Sequence, residues 1–287
     1  MTGYDDLVER SACVVLDRDV VRVSGPDAEG YLQGQVSQDV AGLEVGASAW
    51  TLVLQPQGRI DAWGRVTRVA GDAFLLDTDG GAGEALISRL VRFKLRVKAD
   101  VEPLGWSCVA VRGPAAVPPA REGAVVARAV WPLVGGWDLL GPSAGPVDGV
   151  PVASAGAYEV RRIEAGFPRM GAEITERTIP EEAGIVAVSA SFTKGCYTGQ
   201  ELVARIDSRG GHVPRHLRRV TLPDGAPVPE AGAEVEVDGR PRGAVTSAAR
   251  HPDGHVVALA YLARDVGAPA AGRCAGAPAT IEALPTG

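Results

Sequence analysis

The residues with the greatest chemical potential lie in one octet, Lys194-Gly195-Cys196-Tyr197-Thr198-Gly199-Gln200-Glu201. Thr198 and Glu201 have the spacing of a capping box, and Leu202, Val203 and Ile206 follow as the apolar residues of a helix. This spacing puts Cys196 just before a helix N-terminus, where unpaired N–H groups stabilise a thiolate and lower the pKa of the thiol. Lys194 adds positive charge nearby, and Gly195 and Gly199 leave the backbone open to close approach by a ligand. Taken alone, the octet fits equally an ordinary strand-to-helix turn around a buried, inert cysteine. Cys13, Cys108 and Cys274 have no such setting and are expected in the core.

Three further groups carry potential chemistry. Glu164, in the segment Tyr158–Gly166, could accept two hydrogen bonds from a ligand's paired N–H groups, or simply pair with Arg161 three residues earlier. Arg205, Arg209, Arg215, Arg218 and Arg219, with His212 and His216, form a basic run suited to ligand carboxylates, to an acidic partner or to solvent. His212/His216 and His251/His255 have the spacing of helical metal ligands. Pro214, Pro252 and Gly254 interrupt any such helix, and no Glu-containing metal motif accompanies either pair, so no metal site is expected.

These residues need elements to hold them. A helix is expected from about Ser154 to Ala165, with Val160, Ile163 and Phe167 on its buried stripe and Gly166 just past its end. Another is expected at Gly83–Phe93, and a short one from Ser24-Gly25-Pro26-Asp27 onward. Apolar runs at Cys13–Leu16, Val20–Val23, Trp50–Leu54, Ala73–Leu76, Trp106–Arg112 and Val125–Trp131 read as strands. Residues 168–195 read mostly as loop. Beyond Gly211 the texture changes to short strands at Leu217–Leu222, Ala233–Val237, Gly243–Arg250 and His255–Leu262, the pattern of a small barrel or sandwich. An Ala/Gly/Pro-rich tail follows Asp265. The expected division is residues 1–211 and 212–287, in an α+β protein.

The 287 residues, 46% hydrophobic and 22% charged, can bury a sizeable core and exclude a disordered chain. A net charge of −6 excludes a general nucleic-acid coat. No apolar run reaches the roughly 18 residues of a membrane span. The N-terminal stretch has no basic region followed by a long apolar segment, so a cytoplasmic protein with four free thiols is expected.

The octet, followed by Leu202-Val203-Ala204-Arg205, closely resembles the signature of the YgfZ family of folate-binding proteins, relatives of the glycine-cleavage T-protein (aminomethyltransferase). Tyr158–Gly166, Ile179–Gly184, Tyr31–Val40, and the stretches Gly243–Arg250 and Val256–Leu262 resemble the family in support. The resemblance implies an aminomethyltransferase-like folate-binding core with a C-terminal β-barrel. It further implies tetrahydrofolate or a one-carbon derivative as ligand, and a role beside iron–sulfur client or assembly proteins. It makes Cys196 and Lys194 the expected working groups, and Glu164, Arg161, Tyr197, Gly199, Gln200 and Arg205 the expected folate-binding residues. The alternative is a folate-dependent one-carbon transferase or demethylase. The true aminomethyltransferases resemble one another in a Gly-Gly-Ile-x-Asp-Asp stretch. Here the residues are Gly58-Arg59-Ile60-Asp61-Ala62-Trp63, with the carboxylate out of step, which argues against glycine-cleavage chemistry.

Overall fold

Short β-branched runs punctuated by Asp-, Gly- and Pro-bearing turns make strands, rather than helices, the prevailing regular element of this chain. The computed structural model describes residues 2–114, 123–208 and 210–285; Arg209 and most of the Pro-rich stretch after Gly113 lie outside them. In chain order the first elements are α1 (Tyr4–Glu9), β1 (Ala12–Leu16), β2 (Arg18–Ser24), α2 (Ala28–Gln35), β3 (Ser48–Leu54), β4 (Ile60–Ala70), β5 (Ala73–Asp79), α3 (Gly83–Arg92) and β6 (Asp100–Leu104). Then come β7 (Ser107–Arg112), β8 (Val125–Ala129), β9 (Gly136–Gly141), α4 (Ala155–Glu164), a 3-10 turn (Pro180–Ala183), α5 (Val186–Ser189) and α6 (Gln200–Ser208). The last six strands are β10 (Arg215–Leu222), β11 (Glu234–Val237), β12 (Arg240–Arg250), β13 (Val256–Ala263), β14 (Ala270–Cys274) and β15 (Ala277–Glu282).

The first sheet has the order β3-β4-β5-β2-β6 and the second β1-β7-β9-β8, all neighbours antiparallel. One face of the first sheet packs α2 and α3 through Val21, Phe74, Leu32, Leu86 and Leu90. Its other face meets the second sheet through Val20, Leu75, Cys108, Ala127 and Leu140. Strands β10–β15 form a closed barrel in the order β10-β13-β12-β11-β14-β15, around Val220, Val235, Val245, Leu262 and Ile281. The fold is thus α+β with a C-terminal barrel. Its closing strands, β14 and β15, lie in the Ala/Gly/Pro-rich tail, where no strand is expected because alanine and glycine carry little strand signal until neighbours pair with them.

Helix α4 is the hub. Ser154 caps it by accepting from Ala157 N–H at 3.2 Å. Its C-terminus closes with Gly166 at φ +63°, where Gly166 N–H donates to Ile163 and Phe167 N–H to Arg162. Val160 and Ile163 pack on barrel residues Leu217, Val257 and Leu259. Phe167, expected on the same stripe, turns away into an aromatic cluster with Trp50, Trp63 and Trp131. No helix among the described residues is long and apolar enough to cross a membrane.

Candidate functional site

Successive turns of α4 present Ala155, Tyr158, Glu159 and Arg162 to a cavity of about 530 Å3 where the two sheets and α4 meet. Trp50 and Phe167 supply an aromatic wall; Trp50 stacks on Trp63 at 4.8 Å with an interplanar angle of 18°. The polar walls are charged in both senses, with Arg18, Arg112 and Arg169 opposite Asp17, Asp79 and Asp138.

The geometry fixes most of these charges. Arg162 donates to both oxygens of Glu159 at 2.8 and 2.7 Å, to the Phe167 carbonyl at 2.6 Å and to Glu173 at 3.1 Å. Burial pushes the Glu159 carboxyl up, but Arg162 and Arg169 outweigh it and hold it below its ordinary value. Behind the cavity Arg65 binds Asp77 and Asp138, Arg18 binds Asp77 and Asp79, and Arg112 binds Asp138. Burial alone would raise Asp138, yet Arg112, Arg65 and Arg18 bring it down to about 2. The buried Nε of Arg112, at the cavity wall, has no hydrogen-bond partner among the described residues.

The octet lies elsewhere. Its helix starts at Gln200, one residue later than a capping box of Thr198 and Glu201 implies. Gln200, the first helical residue, reaches back to the preceding loop, its Oε1 accepting from Tyr197 N–H at 3.1 Å. Cys196 is exposed, and Cys13, Cys108 and Cys274 are buried. Lys194 Nζ donates to the carbonyls of Val36 and Gln38 at 2.8 and 2.7 Å, stapling the octet to the end of α2, and Thr198 N–H donates to Gly34. Burial lowers the Lys194 pKa to about 8, with Asp39 opposing. Gly199, at φ +81°, sits against Leu54 and the Gln55 carbonyl, where a side chain has no room. Tyr197 packs in the apolar cluster that also holds Trp50 and Phe167. Arg205 is exposed on α6.

Glu164 and Arg161 are brought together, but on another face of α4. Tyr4 Oη donates to Glu164 at 2.9 and 2.8 Å, Arg161 donates at 3.0 Å, and His251 Nε2 lies 3.4 Å from Oε1. Neither residue, nor any residue of the octet, lines the cavity beside Glu159. In the basic run Arg215 pairs with Glu182 and Arg219 with Glu282, while Arg218 donates to the Leu217 carbonyl. Asp61 is the extra residue of a β-bulge, since Val53 faces Ala62 and Leu54 faces Ile60. It pairs with Arg89 at 3.2 Å, and Trp63 donates to Ser189 Oγ. Sequence reasoning missed Glu159 and Arg162. Their signal was the four-residue spacing Ala155, Glu159 and the adjoining Tyr158, Arg162, a second face of α4 beside the apolar one.

These features define a protein of aminomethyltransferase-like architecture. The glycine cleavage system aminomethyltransferase T from Bartonella henselae superposes with a TM-score of 0.80 at 20% identity, over 98% of this chain and 88% of that one. The family description "GCVT N-terminal domain" matches residues 11–119. A mitochondrial protein of Chaetomium globosum named iron-sulfur cluster assembly factor IBA57 homolog is 31% identical over 77% of this chain, which spans 58% of that protein. A protein of Cronobacter sakazakii named tRNA-modifying protein YgfZ is 27% identical over 85% of this chain and 82% of its own length. Along most of its length the chain is thus similar to YgfZ-type proteins, and its fold is that of the glycine-cleavage aminomethyltransferase.

Proposed function

We propose that this chain is a reduced-folate-binding accessory factor for iron–sulfur protein assembly or repair, with Cys196 as its working thiol and Lys194 positioning it. The observation that carries the reading is the cavity at α4. Its volume suits a ligand of this size. Trp50 and Phe167 offer faces to a flat ring, Glu159 offers two acceptor oxygens to the pterin's amino and ring N–H groups, and Arg169 and Arg112 offer donors to carboxylates. Tetrahydrofolate or a one-carbon derivative would be held there by these residues. The name of the Chaetomium globosum relative, an iron-sulfur cluster assembly factor homolog, supports a factor acting on an iron–sulfur client, and the tRNA-modifying name of the other leaves the client process open.

In this reading the pterin contact expected of Glu164 and Arg161 passes to Glu159, five residues before Glu164 and on a different face of α4. Tyr197, Gly199, Gln200 and Arg205 shape the surface from which Cys196 reaches its client. Residues 1–211 act as the folate-binding core and 212–287 as the barrel domain. One-carbon transfer by a carboxylate is disfavoured, because Asp61 is spent on Arg89 and Trp63 is buried. Two assays test the proposal. Calorimetry should show saturable tetrahydrofolate binding, and Cys196→Ser should retain that binding yet fail to restore iron–sulfur enzyme activity in cells lacking the protein. Full complementation by Cys196→Ser would remove the thiol from the mechanism.

A further inference from the structure

The turn between β12 and β13 is His251-Pro252-Asp253-Gly254-His255, closed by His251 N–H donating to the His255 carbonyl at 2.9 Å. A hairpin puts the residues flanking its loop on the same face. The two imidazoles accordingly stack, with ring centroids 4.2 Å apart and an interplanar angle of 21°, so a shared cation needs only a rotation of the partly exposed His255 ring about its side-chain bonds. Asp253 Oδ2 reaches back to 3.4 Å from His251 Nδ1. One ligand atom from each of His251, Asp253 and His255 falls within 4.8 Å of the others. Pro252 and Gly254, which break any helical metal pair, here build the hairpin turn that brings the two imidazoles together.

The second ring nitrogen of His251 adds an independent observation. Nε2 lies 3.4 Å from Glu164 Oε1, and that carboxylate is itself held by Tyr4 and Arg161. The Tyr4 ring meets His251 edge-on at 4.7 Å. Nδ1 accepts from the Asp253 N–H at 3.1 Å, so the ring carries its proton on Nε2 and keeps the Nδ1 lone pair toward Asp253. A carboxylate on the far nitrogen of a histidine, fixing its tautomer and orientation, is the arrangement found behind metal-ligating imidazoles.

We propose that His251, Asp253 and His255 form a binding site for a borderline divalent transition cation such as Zn2+, with Glu164 as the positioning carboxylate behind His251. Two imidazoles and one carboxylate are a donor set for Zn2+, Ni2+ or Cu2+, and not for Mg2+ or Ca2+, which take oxygen ligands. Binding exchanges the weak Asp253 N–H contact at Nδ1 for a metal bond. The bound cation would tie the barrel to α4 and α1 through His251, Glu164 and Tyr4.

The test is Zn2+ titration by calorimetry of the full chain carrying Cys196→Ser, so that the exposed thiol is not a competing ligand. One-to-one binding is expected, with a Zn2+-dependent rise in the unfolding midpoint that a chelator reverses. His255→Ala and Asp253→Asn, both at solvent-accessible positions, should abolish it. Glu164→Gln should weaken it about ten- to a hundredfold without changing the stoichiometry. Absorption of the Co2+ form in the visible should show d–d bands that His255→Ala removes. Absence of saturable Zn2+ binding, or binding that His255→Ala and Asp253→Asn leave unchanged, would overturn the proposal. Equal weakening of Mg2+ and Zn2+ binding in Asp253→Asn would also overturn it, because the site would then be a carboxylate patch.

Discussion

Cys196 differs from the other three cysteines in exposure, and exposure sets what each thiol can do. Burial pushes the Cys108 and Cys274 thiols up, away from reactive thiolates. Alkylation followed by mass-resolved peptide analysis should therefore label Cys196 first, with Cys13, Cys108 and Cys274 labelled only as the protein unfolds. Equal labelling of all four in the folded protein would contradict this. The octet stood out in the sequence through its resemblance to a family signature, since taken alone it fits an ordinary strand-to-helix turn around a cysteine. Glu159 and Arg162 did not, since an i, i+3 charged pair reads as a solvated helix face until a sheet is placed over it. Glu164 carried the stronger sequence signal but lies against Tyr4 and the barrel, on a face that only the packing of α1 reveals.

At the scale of elements, two attachments decide whether the parts work together. Lys194 staples the octet to the end of α2 through two backbone carbonyls. Lys194→Met should leave both carbonyls short of a donor and cost about 1–2 kcal/mol, a partly exposed version of a charged hydrogen-bond loss. The midpoint of chemical denaturation reads this directly. The pH dependence has a definite sign. Burial holds the folded-state pKa of Lys194 near 8, below its ordinary 10.5, so the desolvation cost of the ammonium, set against its hydrogen bonds, is fully present below about pH 8 and is relieved as pH rises to about 10.5, and stability rises across that window. The second attachment is the closure of the barrel, where β15 pairs with β10 and β14 with β11. A chain ending at Asp265 should lose the barrel's cooperative unfolding and expose two strand edges that aggregate. A monomeric truncated protein with an unchanged unfolding transition would refute that. Strands β10–β13 were evident from their valines and leucines, whereas β14 and β15, rich in alanine and glycine, owe their structure to the pairing itself.

For the whole molecule, the junction of the two sheets is held by a buried ionic network rather than by apolar packing alone. Arg65, Asp77 and Asp138 are almost wholly removed from solvent, with Arg18 and Arg112 closing the cluster. Removing one partner strands a buried charge, so Asp138→Asn should cost about 3–5 kcal/mol, visible as a fall in the unfolding midpoint. The Asp138 pKa is depressed from 3.8 to about 2, so its contribution is complete above about pH 4 and is lost as pH falls through 2. Nothing in the strand patterns announced this network, because arginine and aspartate in a strand read as the solvent face until a second sheet covers them. The same junction forms the cavity, and the central claim is that reduced folate binds there. Calorimetric titration of tetrahydrofolate into wild type, Glu159→Gln and Glu164→Ala tests that claim most directly. Saturable one-to-one binding should weaken about ten- to a hundredfold in Glu159→Gln, the loss of a charged hydrogen-bonded contact of about 1.5–3 kcal/mol, and should persist in Glu164→Ala. No binding to wild type, or a loss confined to Glu164→Ala, would contradict it.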